Sequence, residues 1–191
     1  CYFGRGCVAE HKAAIAKLGK KAMVVTGKTS AKRNGAQQDI TDALDSLDIA
    51  WILFDEIEEN PSVETVERAA KLAIAEGVEF FIGIGGGSPM DSSKAIATMA
   101  AHPEQGTDAL WNAENKALPV VAVPTTAGTG SEVTQYAIVT LHAKRTKSSI
   151  AAHIFATVAF LDPKYMDTLP ARTTNNTAVD ALTHLVESYL S

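Results

Sequence analysis

The sequence has few cysteines, few aromatic residues and no long apolar segment. Only two of the 191 residues are cysteines, Cys1 and Cys7. Two such residues form neither a disulfide framework nor a metal cluster, so a reducing, cytoplasmic compartment is expected. No apolar run is long enough to span a bilayer, and no signal-peptide pattern occurs. The net charge of -5 provides no basic surface for nucleic acid or an anionic membrane, and we expect neither as a partner.

Hydrophobic residues make up 46% of the chain and charged residues 20%. This composition and length suffice for one sizeable core, or for one domain and part of another. The sequence starts at Cys1 without an initiator Met, and it stops at Ser191 directly after a helical pattern that lacks a Gly or Pro stop signal. We therefore expect this sequence to be part of a longer polypeptide.

Short apolar segments alternate with helical patterns over most of the chain. Strands are predicted at 21–26, 51–54, 78–84, 118–123 and 158–161. Helices are predicted at 8–18, 36–47, 63–76 and 91–101, and a hairpin is predicted to pair 136–140 with 148–152. This alternation predicts an α/β fold, a Rossmann-like parallel sheet with helices on both faces. A new helix-rich region is predicted from Pro170 onward.

The predicted strand ending at Ile84 leads into three consecutive glycines and Ser88. Glycine has no Cβ, so backbone N–H groups come close to a ligand, and the start of a helix adds unpaired donors and the positive end of a dipole. This combination favours an anion site suited to a diphosphate. The match to G-x-G-x-x-G is incomplete because Ser88 occupies the place of the last glycine. An ordinary turn between strand and helix is the alternative.

Two further polar loops follow predicted strands, GKTS after Thr26 and TTAGTGSE after Pro124. In a parallel sheet the carboxyl ends of the strands lie along one edge, where ligands bind. We therefore expect the two loops and the glycine turn to face one crevice.

Three segments, in this order and spacing, resemble the iron-containing (group III) alcohol dehydrogenase family. GGGSPMDSSKAIA resembles its diphosphate-binding turn, PTTAGTGSEVT its second cofactor loop, and FLDPKYMDTLP with DALTHLVESYLS its metal-helix signature. The resemblance covers essentially the whole chain. It implies a dinucleotide-binding α/β domain at residues 1–163, and at residues 164–191 the beginning of an all-helical metal-binding domain.

The resemblance also implies which residues hold the cofactor, NADP or NAD. The diphosphate is expected at the backbone N–H groups of Gly86, Gly87 and Ser88, with Asp91 close behind. A threonine group beside the cofactor comprises Thr125 and Thr126, with Thr129 and Thr134 nearby. The alternatives are a first-turn acidic residue for Asp91, favoured by the helix dipole, and turn hydroxyls that bond their own backbone for the threonines.

Three more cofactor contacts are implied at separate places in the chain. Asn60 resembles a contact on the adenosine side, Lys147 a lysine near the nicotinamide ribose, and Leu161 an apolar contact to the nicotinamide side. Each has a simpler alternative. Asn before Pro is a common turn, Lys147 fits a solvated hairpin charge, and Leu161 fits a core position.

Gly27 bears on the choice between the two cofactors. Family members that prefer NAD often carry Asp at this position, where a carboxylate binds the ribose hydroxyls and repels a 2′-phosphate. This chain has Gly27 instead, followed by Thr29 and Ser30, with Lys28 and Lys32 adding positive charge. We therefore predict a preference for NADP. A surface loop that happens to contain lysines is the alternative.

Asp180 and His184 stand four residues apart, so they share one face of a helix. The resemblance implies that both are ligands of Fe²⁺ or Zn²⁺, completed by two histidines of the later domain. Mixed oxygen and nitrogen ligands suit either metal. The preceding segment, TTNNTAVD, differs from the small residues, Ala and Gly, usual in the family. An exposed Asp–His pair is the alternative.

The function implied by the resemblance is metal-dependent hydride transfer between NAD(P) and a small alcohol or aldehyde. Family members are often dimers or larger, so a homodimer is an expected assembly. Two alternatives stay open. The chain is a cofactor-binding fragment that lacks catalysis, or it is a zinc-dependent relative similar to glycerol dehydrogenase.

Overall fold

The structure is a computed structural model that describes residues 1–190. The first half of the chain contains β1 Tyr2–Phe3, α1 Cys7–His11, β2 Lys21–Thr26, α2 Ser30–Arg33, α3 Ala36–Ser46, β3 Ala50–Phe54, α4 Val63–Ala75 and β4 Phe80–Gly85. The second half contains α5 Gly87–Ala101, β5 Val120–Pro124, β6 Ile138–Leu141, β7 Thr146–Ser149, β8 Val158–Leu161 and α6 Ala171–Leu190. No helix among the described residues is both long and apolar enough to cross a membrane.

Six strands form one sheet in the order β1-β8-β5-β4-β2-β3. Every neighbouring pair is parallel. The remaining two strands, β6 and β7, form a separate antiparallel hairpin in which Thr140 is paired with Lys147. The predicted α/β fold is therefore confirmed. A hairpin forms in the predicted region, but its strands are 138–141 and 146–149 rather than 136–140 and 148–152.

The apolar runs of the strands reflect burial of the sheet on both faces. On one face Val24 and Ile82 pack with residues of α1 and α3. On the other face Met23 and Phe81 pack with residues of α4 and α5. Successive strand residues point to opposite faces, so each central strand contributes to both halves of the core.

Several helix and strand boundaries predicted from the sequence are correct. Strands β2 and β8 have the predicted bounds, and α3 and α4 end within one residue of theirs. Ser62 caps α4 as its hydroxyl accepts a hydrogen bond from the Thr65 N–H at 3.2 Å. The predicted helix at 8–18 is α-helical only over Cys7–His11 and continues as a 3₁₀ helix over Lys12–Lys17.

The predicted start of α5 near Asp91 is wrong, because the helix begins at Gly87. Pro89 therefore lies in the first turn, where its missing N–H breaks no intrahelical hydrogen bond. As a consequence the glycines and Ser88 are themselves the amino end of the helix. Strand β1 was also missed because its two residues carry no periodicity.

The carboxyl ends of β2 and β4 lie next to each other at the middle of the sheet. The chain leaving β2 runs to α3 on one face, whereas the chain leaving β4 enters α5 on the other face. Ligands of open α/β sheets bind in the crevice that such a divergence creates. Gly27 follows β2 and Gly86 follows β4, so both predicted cofactor loops border this crevice.

Close contact between β4 and α5 depends on Gly83. A Cβ at this position would lie 2.5 Å from Ser93 Oγ and 3.0 Å from the Met90 Cα. We predict that Gly83→Ala destabilises the protein by about 1–3 kcal/mol, as expected for overpacking of a core. Urea denaturation followed by circular dichroism measures this free energy of unfolding.

The double variant Gly83→Ala/Ser93→Ala is the matched control for this contact. It removes the nearest atom but leaves the backbone contact with Met90, so it should recover only part of the loss. Wild-type stability for Gly83→Ala would contradict the proposed close packing.

Candidate cofactor-binding site

The glycine turn lies at the amino end of α5 with a second loop packed against it. A Cβ on Gly86 would lie 3.3 Å from Thr126 Oγ1, and one on Gly87 would lie 3.0 Å from Thr129 Cγ2. The Thr125 N–H donates to the Gly85 carbonyl at 2.8 Å. The N–H groups of Gly86, Gly87 and Ser88 are those that a helix start leaves without intrahelical acceptors. This arrangement is suited to bind an anion.

A cavity of about 250 Å³ opens beside this turn. Six residues predicted from the sequence line it, namely Asn60, Gly87, Ser88, Asp91, Thr129 and Lys147. These residues come from four separate parts of the chain. The fold therefore places these six predicted cofactor-binding residues around one cavity.

Asn60 and Lys147 form a direct contact at this cavity. The Lys147 ammonium donates to Asn60 Oδ1 at 2.6 Å, although the two residues are 87 positions apart. The Asn60 backbone, at φ 56, donates its N–H to Ser88 Oγ at 3.2 Å. The hairpin is fixed here because Thr140 N–H donates to the Pro61 carbonyl at 2.8 Å. Lys147 is therefore directed towards the glycine turn.

A second cavity, of about 100 Å³, contains Thr29, Ser30 and Thr125. Its lining also includes Arg33, which sequence reasoning did not single out. A guanidinium beside two hydroxyls suits a phosphate group. The signal in the sequence was the basic run that ends the GKTSAKR segment.

The lysines near Gly27 differ in their surroundings. Lys32 is ion-paired with Asp55, with 2.8 Å between Nζ and Oδ2, whereas Lys28 is exposed. A Cβ on Gly27 would lie 3.3 Å from the Ile57 carbonyl oxygen. The site therefore has little room for a side chain that points towards Ile57, and part of the predicted charge is neutralised by Asp55.

Asp91 lies beyond the first turn of α5, which contains no acidic residue. Its two carboxylate oxygens accept hydrogen bonds from Ser131 Oγ at 2.6 Å and from the Ile138 N–H at 2.9 Å. Burial raises the pKa of Asp91, and the hydrogen bonds from Ser131 and Ile138 oppose that shift. Asp91 thus connects α5 to the loop after β5 and to the hairpin.

Lys94, one turn further along α5, was missed in the sequence. Its side chain is fully buried, and its ammonium donates to the carbonyls of Ser131, Thr134 and Tyr136 at 2.7, 2.8 and 2.8 Å. Thr134 therefore contacts Lys94 through its backbone. The available signal was a single charged residue in the otherwise uncharged stretch SSKAIATMAA.

Thr126 and Leu161 complete the predicted set. Thr126 lies over Gly86, as described above. Leu161 ends β8, is half-buried, and packs against a small apolar cluster that includes Met90 and Ala159.

Helix α6 carries Asp180 and His184. The distance from Asp180 Oδ1 to His184 Nε2 is 3.6 Å, and both side chains are about half exposed at 44% and 55%. Two ligand atoms that each lie about 2.1 Å from one tetrahedral metal ion are about 3.4 Å apart. The observed separation of 3.6 Å is close to this value, so the pair fits two ligand positions around Fe²⁺ or Zn²⁺. Among residues 1–190, no group of three or more His, Cys, Asp or Glu side chains is placed to hold a metal.

Helix α6 contacts the loop after β5 at Gly128. A Cβ on Gly128 would lie 2.9 Å from the Thr177 carbonyl oxygen and 3.0 Å from the Thr177 Cβ. Thr177 is half-buried and precedes Asp180 by three residues, on the same side of the helix. The contact therefore connects the Asp180–His184 pair to the threonine-rich loop.

Comparison with known proteins identifies several similar chains. The model of the iron-containing alcohol dehydrogenase family matches residues 1–163. Lactaldehyde reductase of Escherichia coli is 35% identical over 196 residues, covering 100% of this chain and 51% of the relative. An NADPH-dependent butanol dehydrogenase of Clostridium saccharobutylicum is 35% identical, covering 100% of this chain and 50% of the relative. The chain thus spans about half the length of the curated relatives it matches.

Solved structures agree with this comparison. An iron-containing alcohol dehydrogenase of Thermotoga maritima is 43% identical with a TM-score of 0.95, covering 100% of this chain and 53% of that structure. The NADH-dependent butanol dehydrogenase A of the same organism is 33% identical with a TM-score of 0.90, covering 97% of this chain and 48% of that structure. Similar chains therefore include both an NADPH-dependent and an NADH-dependent enzyme.

We expect the contact at Gly128 to hold α6 against the loop after β5. Gly128→Ala should displace the helix because the added methyl group meets backbone atoms of Thr177. We expect trypsin to cleave after Arg172 several-fold faster, since overpacking of about 1–3 kcal/mol favours the undocked state. Mass spectrometry of a digestion time course gives the rate at this site.

Ala127→Ser is the control, because Ala127 is exposed and lies next to Gly128. It should leave the cleavage rate at Arg172 unchanged. Equal rates for Gly128→Ala and wild type would show that α6 does not depend on this contact.

Proposed function

Because this chain belongs to the iron-containing alcohol dehydrogenase family, we propose that it forms the dinucleotide-binding part of a metal-dependent oxidoreductase. The reaction is hydride transfer between NAD(P), with NADP preferred, and a small alcohol or aldehyde. The observation that carries this proposal is the open amino end of α5. There Gly87 and Ser88 line a cavity that also contains Lys147, and Gly86 precedes them as the N-cap of the helix.

The chain's own residues would bind and orient the cofactor. Backbone N–H groups at Gly86, Gly87 and Ser88 would bind the diphosphate, with the hydroxyls of Thr126 and Thr129 above the turn. Lys147 and Asn60, already in contact at 2.6 Å, would donate to phosphate or ribose oxygens from the hairpin side. Asp91 contributes by fixing the hairpin, since both of its oxygens are already hydrogen-bonded.

Asp180 and His184 would supply two ligands for Fe²⁺ or Zn²⁺. The pair is half exposed and its donors are 3.6 Å apart, which suits a shared ion after small side-chain rotations. When bound, the metal supplies Lewis-acid polarisation of the substrate oxygen, and the nicotinamide carries the hydride. The two residues would hold the ion beside the loop that contains Gly128. The same loop also lines the cofactor site through Thr126 and Thr129.

The second candidate is a dinucleotide-binding unit without catalysis. It is supported by the candidate metal ligands. The described residues supply two of them, Asp180 and His184, and no group of three or more His, Cys, Asp or Glu side chains placed to hold a metal. This candidate predicts binding of NADPH to the chain but no metal-dependent turnover.

One experiment separates the two candidates. The protein as isolated is mixed with NADPH and a short aldehyde, with and without Fe²⁺ or Zn²⁺, and the absorbance of NADPH at about 340 nm is followed. The oxidoreductase proposal predicts metal-dependent consumption that Asp180→Ala and His184→Ala abolish, because each removes one of two donors. Asp42→Ala, an exposed acid on α3, is the control and should have no effect.

Binding without turnover would favour the second candidate. Absence of NADPH and NADH binding would contradict both candidates. Metal-dependent turnover that survives both alanine substitutions would disprove the assignment of Asp180 and His184.

The cofactor preference gives a separate prediction at Gly27. Gly27→Asp should weaken NADPH binding by about tenfold or more relative to NADH, a change of about 1.4 kcal/mol. The reason is that a carboxylate repels the 2′-phosphate and accepts hydrogen bonds from free ribose hydroxyls. Fluorescence titration with each reduced cofactor gives the two dissociation constants.

Gly27→Ala is the matched control, because it adds the same Cβ near the Ile57 carbonyl without adding charge. It should change both dissociation constants equally. A wild-type protein that binds NADH and NADPH equally well would refute the predicted preference.

A further inference from the structure

Lys94 lies outside both cavities, yet every hydrogen bond of its ammonium group is made to the loop that covers the glycine turn. Its Nζ contacts the carbonyls of Ser131, Thr134 and Tyr136 and also Ser131 Oγ at 3.1 Å. An ammonium group that is removed from water needs such acceptors to offset its lost hydration. The loop at 131–136 therefore has to keep the shape that surrounds Lys94.

Asp91 gives this arrangement a second point of attachment. Its Oδ1 accepts from the Ser131 hydroxyl while that hydroxyl oxygen accepts from Lys94, so Ser131 bridges the two charges. Its Oδ2 accepts from the N–H of Ile138, the first residue of β6. Burial lowers the pKa of Lys94, whereas the negative charges of Asp91 and Glu132 oppose that shift.

The loop held in this way carries groups that line the candidate cofactor site. Its first part places Thr126 and Thr129 against Gly86 and Gly87. Its last part enters β6, whose Thr140 pairs with Lys147 of β7. Lys94 and Asp91 both belong to α5. They lie within about two turns of the diphosphate donors at the amino end of this helix.

We propose that Lys94 is the positioning residue of the cofactor site, which fixes the 125–136 loop and the hairpin relative to the glycine turn before cofactor binds. Lys94 acts through Ser131, Thr134 and Tyr136 and does not itself contact the ligand. This inference rests on the proposed function, because it assumes that NADPH or NADH binds at the turn.

The test is Lys94→Met, which keeps most of the side-chain volume and removes the charge. The dissociation constant for NADPH, measured by fluorescence titration, should rise at least about tenfold, because the loop loses its alignment with the turn. Amide hydrogen exchange should accelerate in residues 125–140, whereas exchange in α3 should change much less.

Leu44→Ala is the control for a loss of stability elsewhere in the core. Leu44 is fully buried on α3, on the face of the sheet opposite α5, and its truncation lowers global stability without touching the loop. We expect faster exchange across the protein but an unchanged dissociation constant for NADPH. A merely structural role for Lys94 predicts that the two variants behave alike.

Ser131→Ala decides the question if Lys94→Met does not fold. This variant removes the hydroxyl that bridges Asp91 and Lys94 but leaves three carbonyl acceptors for the ammonium. A several-fold rise in the NADPH dissociation constant is expected. Unchanged binding by folded Lys94→Met, or by Ser131→Ala, overturns the inference, whereas failure of the wild-type protein to bind either cofactor overturns the proposed function instead.

Discussion

The buried ammonium group of Lys94 constrains the shape of the whole candidate site. Its side chain has no exposed surface, and its hydrogen bonds end on Ser131, Thr134 and Tyr136. A buried charge without such partners costs several kcal/mol, so loop conformations that withdraw the carbonyls are strongly disfavoured. This explains how a segment rich in Gly and Thr, with few apolar side chains to bury, keeps a defined conformation. The hairpin follows from the same constraint, because Asp91 joins Ser131 to Ile138.

Close approach of backbones is the second feature on which the site depends. Gly83 lets α5 lie against β4, Gly86 and Gly87 let the threonine-rich loop lie against the turn, and Gly128 lets α6 reach that loop. At each place a Cβ would fall at or inside the limit of ordinary contact with Ser93, Thr126, Thr129 or Thr177, respectively. The glycines thus shape both the candidate anion site and the support of the Asp180–His184 pair.

The sequence predicted much of the architecture, because strands buried on both faces give continuous apolar runs and helices give periodic ones. Local alternation also indicated the hairpin, although with shifted strand bounds. The predicted start of α5 near residue 91 was wrong because the first turn of the helix contains Gly87 and Pro89, residue types that disfavour a helix interior but are compatible with a first turn. Pattern reasoning therefore failed where a residue has two acceptable structural meanings.

The contacts that shape the candidate site could not be predicted in the same way. Lys94 and Tyr136 are 42 residues apart, and Lys147 and Asn60 are 87 apart, so no periodicity connects them. The family resemblance named Asn60 and Lys147 separately, but only the fold shows that they touch. Gly128 and Thr177 likewise meet through packing of α6, whose TTNNTAVD segment departs from the residues usual in the family.

The most direct test of this account is a crystal structure of the chain grown with NADPH. We predict that the diphosphate lies at the amino end of α5, within hydrogen-bond distance of the N–H groups of Gly87 and Ser88, and that the 2′-phosphate lies next to Gly27. The Lys94 contacts should be unchanged. A cofactor bound elsewhere, or a diphosphate that does not touch this turn, would contradict the central claim that the glycine turn is the cofactor site.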